Sequence, residues 1–307
     1  MPWRYGARWI TRRSRNRRGI RSSLCWTWRT AATARLAATS RAGKAFLWDI
    51  PHRAPLPDLP SNFSSQVQAV AFSPEDSLVA AAGGPGQVIV WNVADKTQRF
   101  KPLRGGHDLI NDIAFSPDSM RLAVAGATPR AVAASRTPEN PLMVLWDLSQ
   151  KKPSATSIRP TGMQKMRVLF TSDGKTLVSG DLDGRVVLWD LTRQPPSAEV
   201  LPVQQGWLGL HVLAISADGG LLAAGGTQGV SRFWGMANRR VSGEPLRVPQ
   251  DRTIQSMAFS RDGKTIATAD DSGAVIHWDM TTRAQVSAPL AGHQAAVSSI
   301  AFSPSGK

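Results

Sequence analysis

Short runs of apolar, strand-forming residues recur along the chain at near-constant spacing, separated by polar turn clusters. Six runs end in Trp, usually followed by Asp: Phe46-Leu47-Trp48-Asp49, Ile89-Val90-Trp91-Asn92, Val144-Leu145-Trp146-Asp147, Val187-Leu188-Trp189-Asp190, Arg232-Phe233-Trp234-Gly235 and Ile276-His277-Trp278-Asp279. The Trp-to-Trp steps are 43, 55, 43, 45 and 44 residues. A second kind of run lies about nineteen residues before the Trp, except in one repeat that carries an insertion. It reads Val70-Ala71-Phe72-Ser73-Pro74, Ile113-Ala114-Phe115-Ser116-Pro117, Val168-Leu169-Phe170-Thr171-Ser172, Leu213-Ala214-Ile215-Ser216-Ala217 and Met257-Ala258-Phe259-Ser260-Arg261, with Ile300-Ala301-Phe302-Ser303-Pro304 as a last, truncated copy. The Ser-Pro-Asp-Gly clusters that follow are hairpin chemistry: Pro presets φ, Asp bonds its own backbone and Gly takes positive φ. Between turn and Trp lies a short strand of small residues, such as Leu177-Val178-Ser179-Gly180 or Leu221-Leu222-Ala223-Ala224. The pattern predicts repeated units of four short antiparallel strands, each burying its faces against its neighbours.

A period near 44 with a strand-Trp-Asp ending resembles the WD-repeat family, over roughly residues 36 to 307, and especially its bacterial members with Phe-Ser-Pro-Asp-Gly-Lys turns. The resemblance implies an all-β fold, a β-propeller of four-stranded antiparallel blades. The chain enters that pattern mid-unit at Arg35-Leu36-Ala37-Ala38-Thr39-Ser40 and ends on an orphan first strand, Val297 to Phe302. Such propellers commonly complete one blade with strands from both termini. Leu36–Ser40 is therefore expected to pair antiparallel with Val297–Phe302, giving six blades, five complete and one composite, with no open edge. The alternative is a piece of a longer array, cut inside a unit.

The family's internal polar tetrad is sparse. Gly-His occurs at His107 and His293, and Asp-Gly before a third strand at Asp183, with Ser179 and Trp189 in the same repeat. These residues, with Trp48, Trp91, Trp146, Trp234 and Trp278, are expected to be structural, because buried polar groups must find partners.

Charge changes the picture only once it is located. Residues 1 to 48 hold eleven Arg, one Lys and no acid, so +12 of the net +15 sits there and the remainder is near neutral. The segment 1 to 35 carries Trp3, Trp9, Trp26 and Trp28 among Arg and Ser, without the repeat phrases. It admits three readings: a nucleic-acid-binding arm using phosphate contacts and base stacking, a targeting peptide, or a disordered or non-native tail. The single cysteine, Cys25, excludes an internal disulfide and fits a reducing, cytoplasmic setting. No run of 18 apolar residues exists, so no membrane span is expected.

Catalytic patterns are absent from the sequence. The five His (52, 107, 211, 277 and 293) lack metal-ligand spacing, and no nucleophile elbow or phosphate-binding glycine loop occurs. No enzyme activity, cofactor or metal is expected. The resemblance implies a scaffold that presents loops to a protein or peptide partner. Candidate contact residues are the positions four before the hairpin aromatic or its substitute, Gln68, Asn111, Met166, His211, Gln255 and Ser298, which begin the inner strands. Trp207 stands where Gly-His would, as a candidate interface anchor. The insertion Thr128–Asn140 offers Arg130 and Arg136 to an acidic group, since long loops in compact domains are commonly functional or disordered.

Overall fold

The computed structural model describes residues 28–30, 35–39, 45–49, 54–61, 63–64, 66–104, 109–127, 143–158, 165–202, 209–290 and 292–302. Its strands form six antiparallel sheets, one per repeat, with strands in sequence order within each. Blade 1 is β1 (Trp28–Thr30), β2 (Arg35–Thr39), β3 (Ala45–Asp49) and β4 (Ala54–Pro55). Blade 2 is β5 (Val67–Phe72), β6 (Leu78–Gly83), β7 (Gln87–Asn92) and β8 (Leu103–Arg104). Blade 3 is β9 (Leu109–Phe115), β10 (Arg121–Ala127), β11 (Met143–Asp147) and β12 (Ser154–Ile158). Blade 4 is β13 (Lys165–Phe170), β14 (Thr176–Asp181), β15 (Val186–Asp190) and β16 (Ser197–Val200). Blade 5 is β17 (Leu210–Ile215), β18 (Leu221–Gly226), β19 (Val230–Gly235) and a split outer edge, β20 (Arg240–Val241) and β21 (Leu246–Arg247). Blade 6 has three strands, β22 (Ile254–Phe259), β23 (Thr265–Asp270) and β24 (Val275–Asp279), and its outer edge is met at two bridges, Trp278 with Gln285 and Val275 with Leu290. The first strands of consecutive blades lie side by side around the centre.

The core lies between blades rather than inside any one of them. Phe170, Leu177 and Trp189 of blade 4 pack with Met143 and Ile158 of blade 3. Leu188 and Leu201 of blade 4 pack with Leu222 and Trp234 of blade 5, while the neighbouring Phe233 turns to Ile254 and Trp278 of blade 6. Period-two alternation sends successive side chains to opposite neighbours, which is why both faces of each strand read as apolar. Outer edges are polar and often interrupted. In blades 2, 5 and 6 a Pro-Leu step (Pro102-Leu103, Pro245-Leu246, Pro289-Leu290) stands at the interruption, where a residue without an N–H suits an edge strand.

The hairpins between first and second strands share one network. Thr171 Oγ1 donates to Asp173 Oδ1 at 2.6 Å and accepts the Thr176 N–H at 3.1 Å, and Asp173 also takes the Lys175 N–H at 3.0 Å. Ser216 with Asp218 and Ser260 with Asp262 repeat the arrangement. The hydroxyl donor, and after it the backbone N–H, holds the carboxyls of Asp173, Asp218 and Asp262 below the ordinary Asp value of 3.8. A depressed folded pKa contributes stability that is present above 3.8 and lost as pH falls through the folded values. Melting temperature is therefore expected to fall progressively below pH 3.8, and Asp173→Asn with Asp262→Asn should flatten that acid limb in a thermal scan from pH 5 to pH 2.

Two expectations are corrected. Leu36 to Thr39 does not pair with Val297–Phe302: β2 pairs on one side with β1, in the register Trp28–Ala38, Arg29–Ala37 and Thr30–Leu36, and on the other with β3. The hairpin partner is local in sequence, so closing that loop costs far less entropy than joining segments more than 250 residues apart. Blade 1 thus starts at Trp28, inside the segment expected to be tail, and is not a composite of both termini. Val297 to Phe302 form no strand. They lie against blade 6, with Val297 N–H on Asp270 O at 3.1 Å, Ile300 N–H on Ser256 Oγ at 3.1 Å and Phe302 stacked on His277. The Ile300 bond repeats that of Val168 N–H to Asp112 Oδ2, so this segment occupies an inner-strand position beside blade 6. Among the described residues no helix is long and apolar enough to cross a membrane.

Candidate functional site

Each described inner strand of blades 2 to 6 carries a β-bulge at the same place. The register steps from Val67 to Ala69, from Lys165 to Arg167, from Leu210 to Val212 and from Ile254 to Ser256, and in blade 3 Ile110 and Asp112 oppose Gly126 and Ala125. The residues left over are Gln68, Met166, His211, Gln255 and Asn111. These are the positions counted back from the hairpin aromatic in the sequence. A bulge places two residues opposite one, bends the strand and re-aims a side chain. The burial pattern follows: Gln68, Asn111, His211 and Gln255 are half-buried, whereas the residues on both sides of each are buried. Successive inner strands are neighbours, so the bulges form a series on one face of the assembly.

Small residues on the second strand make room for the bulge. Gly83 pairs with Val67, Gly180 with Arg167, and Gly225 and Gly226 with Val212 and Leu210. A Cβ on Gly83 would lie 2.8 Å from Gln66 O, and one on Gly226 only 2.0 Å from Gly209 O. Larger side chains there would open the pairing that sets the bulge.

The chemistry of the face is polar and lacks a carboxylate at any bulge position. Burial, and then the positive charge of Arg167, holds His211 below the usual imidazole range, so it is neutral at pH 7. Asp112, next to Asn111, is buried and accepts the Val168 N–H at 3.0 Å, tying blade 3 to blade 4. Sequence reasoning missed that carboxylate, whose only signal is its place directly after a bulge residue. Ser298 is exposed, on the segment that lies against blade 6. Trp207, Arg130, Arg136 and His107 lie outside the described residues, as do the side chain of Met166 and residues 1 to 27.

The structural residues divide by partner. Trp189 Nε1 donates to Ser179 Oγ at 2.9 Å, and Trp278 Nε1 to Thr268 Oγ1 at 2.9 Å. Trp91 and Trp234 instead donate to main-chain carbonyls, those of Pro60 and Pro202, both at 2.9 Å. Trp146 and Trp48 have no acceptor for Nε1 among the described residues. In the turn of blade 4 the buried carboxylate is Asp181, which takes the Arg185 N–H at 2.8 Å, while Asp183 is half-buried at the turn surface. Asp270 repeats the role of Asp181 in blade 6, accepting from Ser272 N, Ser272 Oγ and Ala274 N. His293 is exposed, with its carbonyl against Gly273. No group of three or more His, Cys, Asp or Glu that could hold a metal occurs among the described residues.

A family model, described as the WD domain, G-beta repeat, matches residues 55–92, 99–128, 161–190, 243–279 and 284–307. The chain belongs to the WD-repeat family. The matched segments fall in blades 2, 3, 4 and 6, the β21 edge of blade 5 and the C-terminal segment beside blade 6. Among curated relatives of this WD-repeat protein, the target of rapamycin complex subunit wat1 of Schizosaccharomyces pombe is 27% identical over 221 residues, 70% of this chain and 64% of wat1. Transducin beta-like protein 3 of Bos taurus is 26% identical over 228 residues, 70% of this chain and 24% of its own length. The small ribosomal subunit protein RACK1y of Oryza sativa subsp. japonica is 27% identical over 132 residues, 41% of this chain and 35% of its own length. The chain therefore spans less than two thirds of the length of each. All three are eukaryotic, and the bacterial-type subdivision expected from the turns has no counterpart among them.

Proposed function

We propose that the chain is a non-catalytic interaction scaffold, and that a protein or peptide partner docks on the face where Gln68, Asn111, His211 and Gln255 leave their sheets. The observation that carries this reading is the recurrence of one bulge in five successive inner strands. A propeller fixes these strands rigidly, so side chains turned out by the bulges are held in place before binding, and little ordering entropy is left to lose. The carboxamides of Asn111 and Gln255, a neutral imidazole and the nearby Arg167 offer donors and acceptors suited to peptide groups and carboxylates. Relatives named as a complex subunit and as a ribosomal protein are parts of larger assemblies. In this reading Trp207 is a further anchor for the partner, and Arg130 and Arg136 meet an acidic group of the partner. The single Cys25 fits work in the reducing cytoplasm.

Affinity capture followed by quantitative mass spectrometry tests the proposal. A variant with Gln68, Asn111, His211 and Gln255 all replaced by Ala is expected to retain its melting transition and to lose at least about tenfold of its specific partner capture, roughly 1.4 kcal/mol of binding. Trp207→Ala is expected to weaken the same capture at little cost in stability. Unchanged capture by the quadruple variant overturns the assignment.

A further inference from the structure

A groove at the junction of blades 2 and 3 lies on the opposite face from the bulges. The turn after β7 bonds back to the inner hairpin (Val93 N–H to Ser77 O, 2.9 Å), which fixes it at the far end of the inner strand from Gln68. Together with the turn between β11 and β12 it borders an open groove of about 370 Å³. The floor is Phe100, which belongs to the same cluster as Leu148 and Trp146 of blade 3. Arg99 of blade 2 and Lys151 of blade 3 both line it, together with Asn92, Gln98, Ser149 and Gln150. The Arg99 guanidinium sits 5.4 Å from the centre of the Phe100 ring, where stacking holds the charge over the floor.

The electrostatics are one-sided. These two turns also carry Lys96, Lys101 and Lys152, against the carboxylates of Asp95 and Asp147 alone. Both carboxylates are engaged locally: Asp95 accepts Thr97 N–H and Oγ1–H at 2.9 and 2.7 Å, and Asp147 accepts Ser149 N–H and Oγ–H at 2.9 and 2.6 Å. Neither Arg99 nor Lys151 makes an ion pair among the described residues. The corresponding groove at the junction of blades 4 and 5, about 330 Å³, is neutralised from within: Arg193 pairs with Asp190 at 3.4 Å, and Arg239 pairs with Glu199. Of two grooves built the same way, one is satisfied by its own acids and the other presents cations.

We propose that the blade 2–blade 3 groove binds an acidic peptide segment of a partner protein, with a Glu or Asp carboxylate held between Arg99 and Lys151 and the adjoining methylenes over Phe100. Charge-assisted bonds to Arg and Lys are the stronger class. The outer edge supplies a place for the peptide main chain, since it leaves the ladder between the Trp91–Gln98 bridge and the Val88–Leu103 pair. This site is separate from the bulge face, and either can fail without the other.

The test uses the full chain and a fluorescent hexaglutamate peptide bearing a photoreactive group, read by polarisation and by mass-spectrometric mapping of adducts. The expected result is adducts within residues 92–101 and 148–152, salt-weakened affinity, and a loss of at least about tenfold in Arg99→Glu with Lys151→Glu. That charge-reversed variant should gain affinity for hexalysine. Arg193→Glu, in the blade 4–blade 5 groove, should bind hexaglutamate as the parent does. Adducts confined to residues 1–48, undiminished affinity in the double variant, or an equal loss in Arg193→Glu each overturns the proposal.

Discussion

Alanine at position 189 is expected to lower the free energy of unfolding by about 3–5 kcal/mol. Trp189 is 4% exposed and sits between blades 3 and 4, among Met143, Phe170 and Leu177. Its removal forfeits the burial of the indole and leaves a cavity that cannot collapse freely, because each wall is a strand held in its own ladder. It also orphans the Ser179 hydroxyl, which is fully buried and has the indole as its donor. Trp189→Phe separates the two effects. It keeps most of the ring area, loses the 2.9 Å hydrogen bond, and is expected to cost about 1–3 kcal/mol. Chemical denaturation followed by far-ultraviolet circular dichroism measures both. A Phe variant as damaging as the Ala variant would mean that the polar pair, not the packing, dominates at this junction.

Gly226→Ala is expected to cost about 1–3 kcal/mol, or more if the local pairing opens. The new Cβ would lie 2.0 Å from the carbonyl oxygen of Gly209 and 2.8 Å from its carbon, and both are main-chain atoms that cannot swing aside. The strain falls on the Leu210–Gly226 pair, the anchor of the bulge at His211. The substitution should therefore also release His211 from its burial and raise its pKa toward the ordinary 6.5, which a histidine proton-resonance titration detects. Gly263→Ala makes the comparison: its φ is +67° but no atom lies within 4 Å of the added methyl, so the expected cost is backbone strain alone, about 1 kcal/mol.

The sequence was legible where chemistry repeats. The Trp phrases mark the third strands because the Trp of each of blades 2 to 6 fills an inter-blade junction. The aromatic-Ser-Pro-Asp-Gly phrase marks the end of the inner strand, so counting back four positions reached the bulge residues Gln68, Asn111, His211 and Gln255. That these positions are bulges was not legible, since a bulge is a property of hydrogen-bond register and any polar residue can occupy it. The strand Trp28–Thr30 was hidden for a different reason: it lies in an Arg-rich stretch without alternation, and only its pairing with β2 reveals it. The acceptors of Trp91 and Trp234 are carbonyls, which leave no trace in residue type. Asp181 and Asp183 lie two residues apart, and the former is buried because it ends strand β14 while the latter stands beyond it in the turn.

Site-specific photocrosslinking tests the central claim most directly. A benzophenone amino acid placed at Gln68 or Gln255 should capture a discrete protein partner, and the same group at Ser197, on the outer edge of blade 4, should not. Capture from Ser197 with none from Gln68 or Gln255 would contradict the assignment of the bulge face as the partner surface.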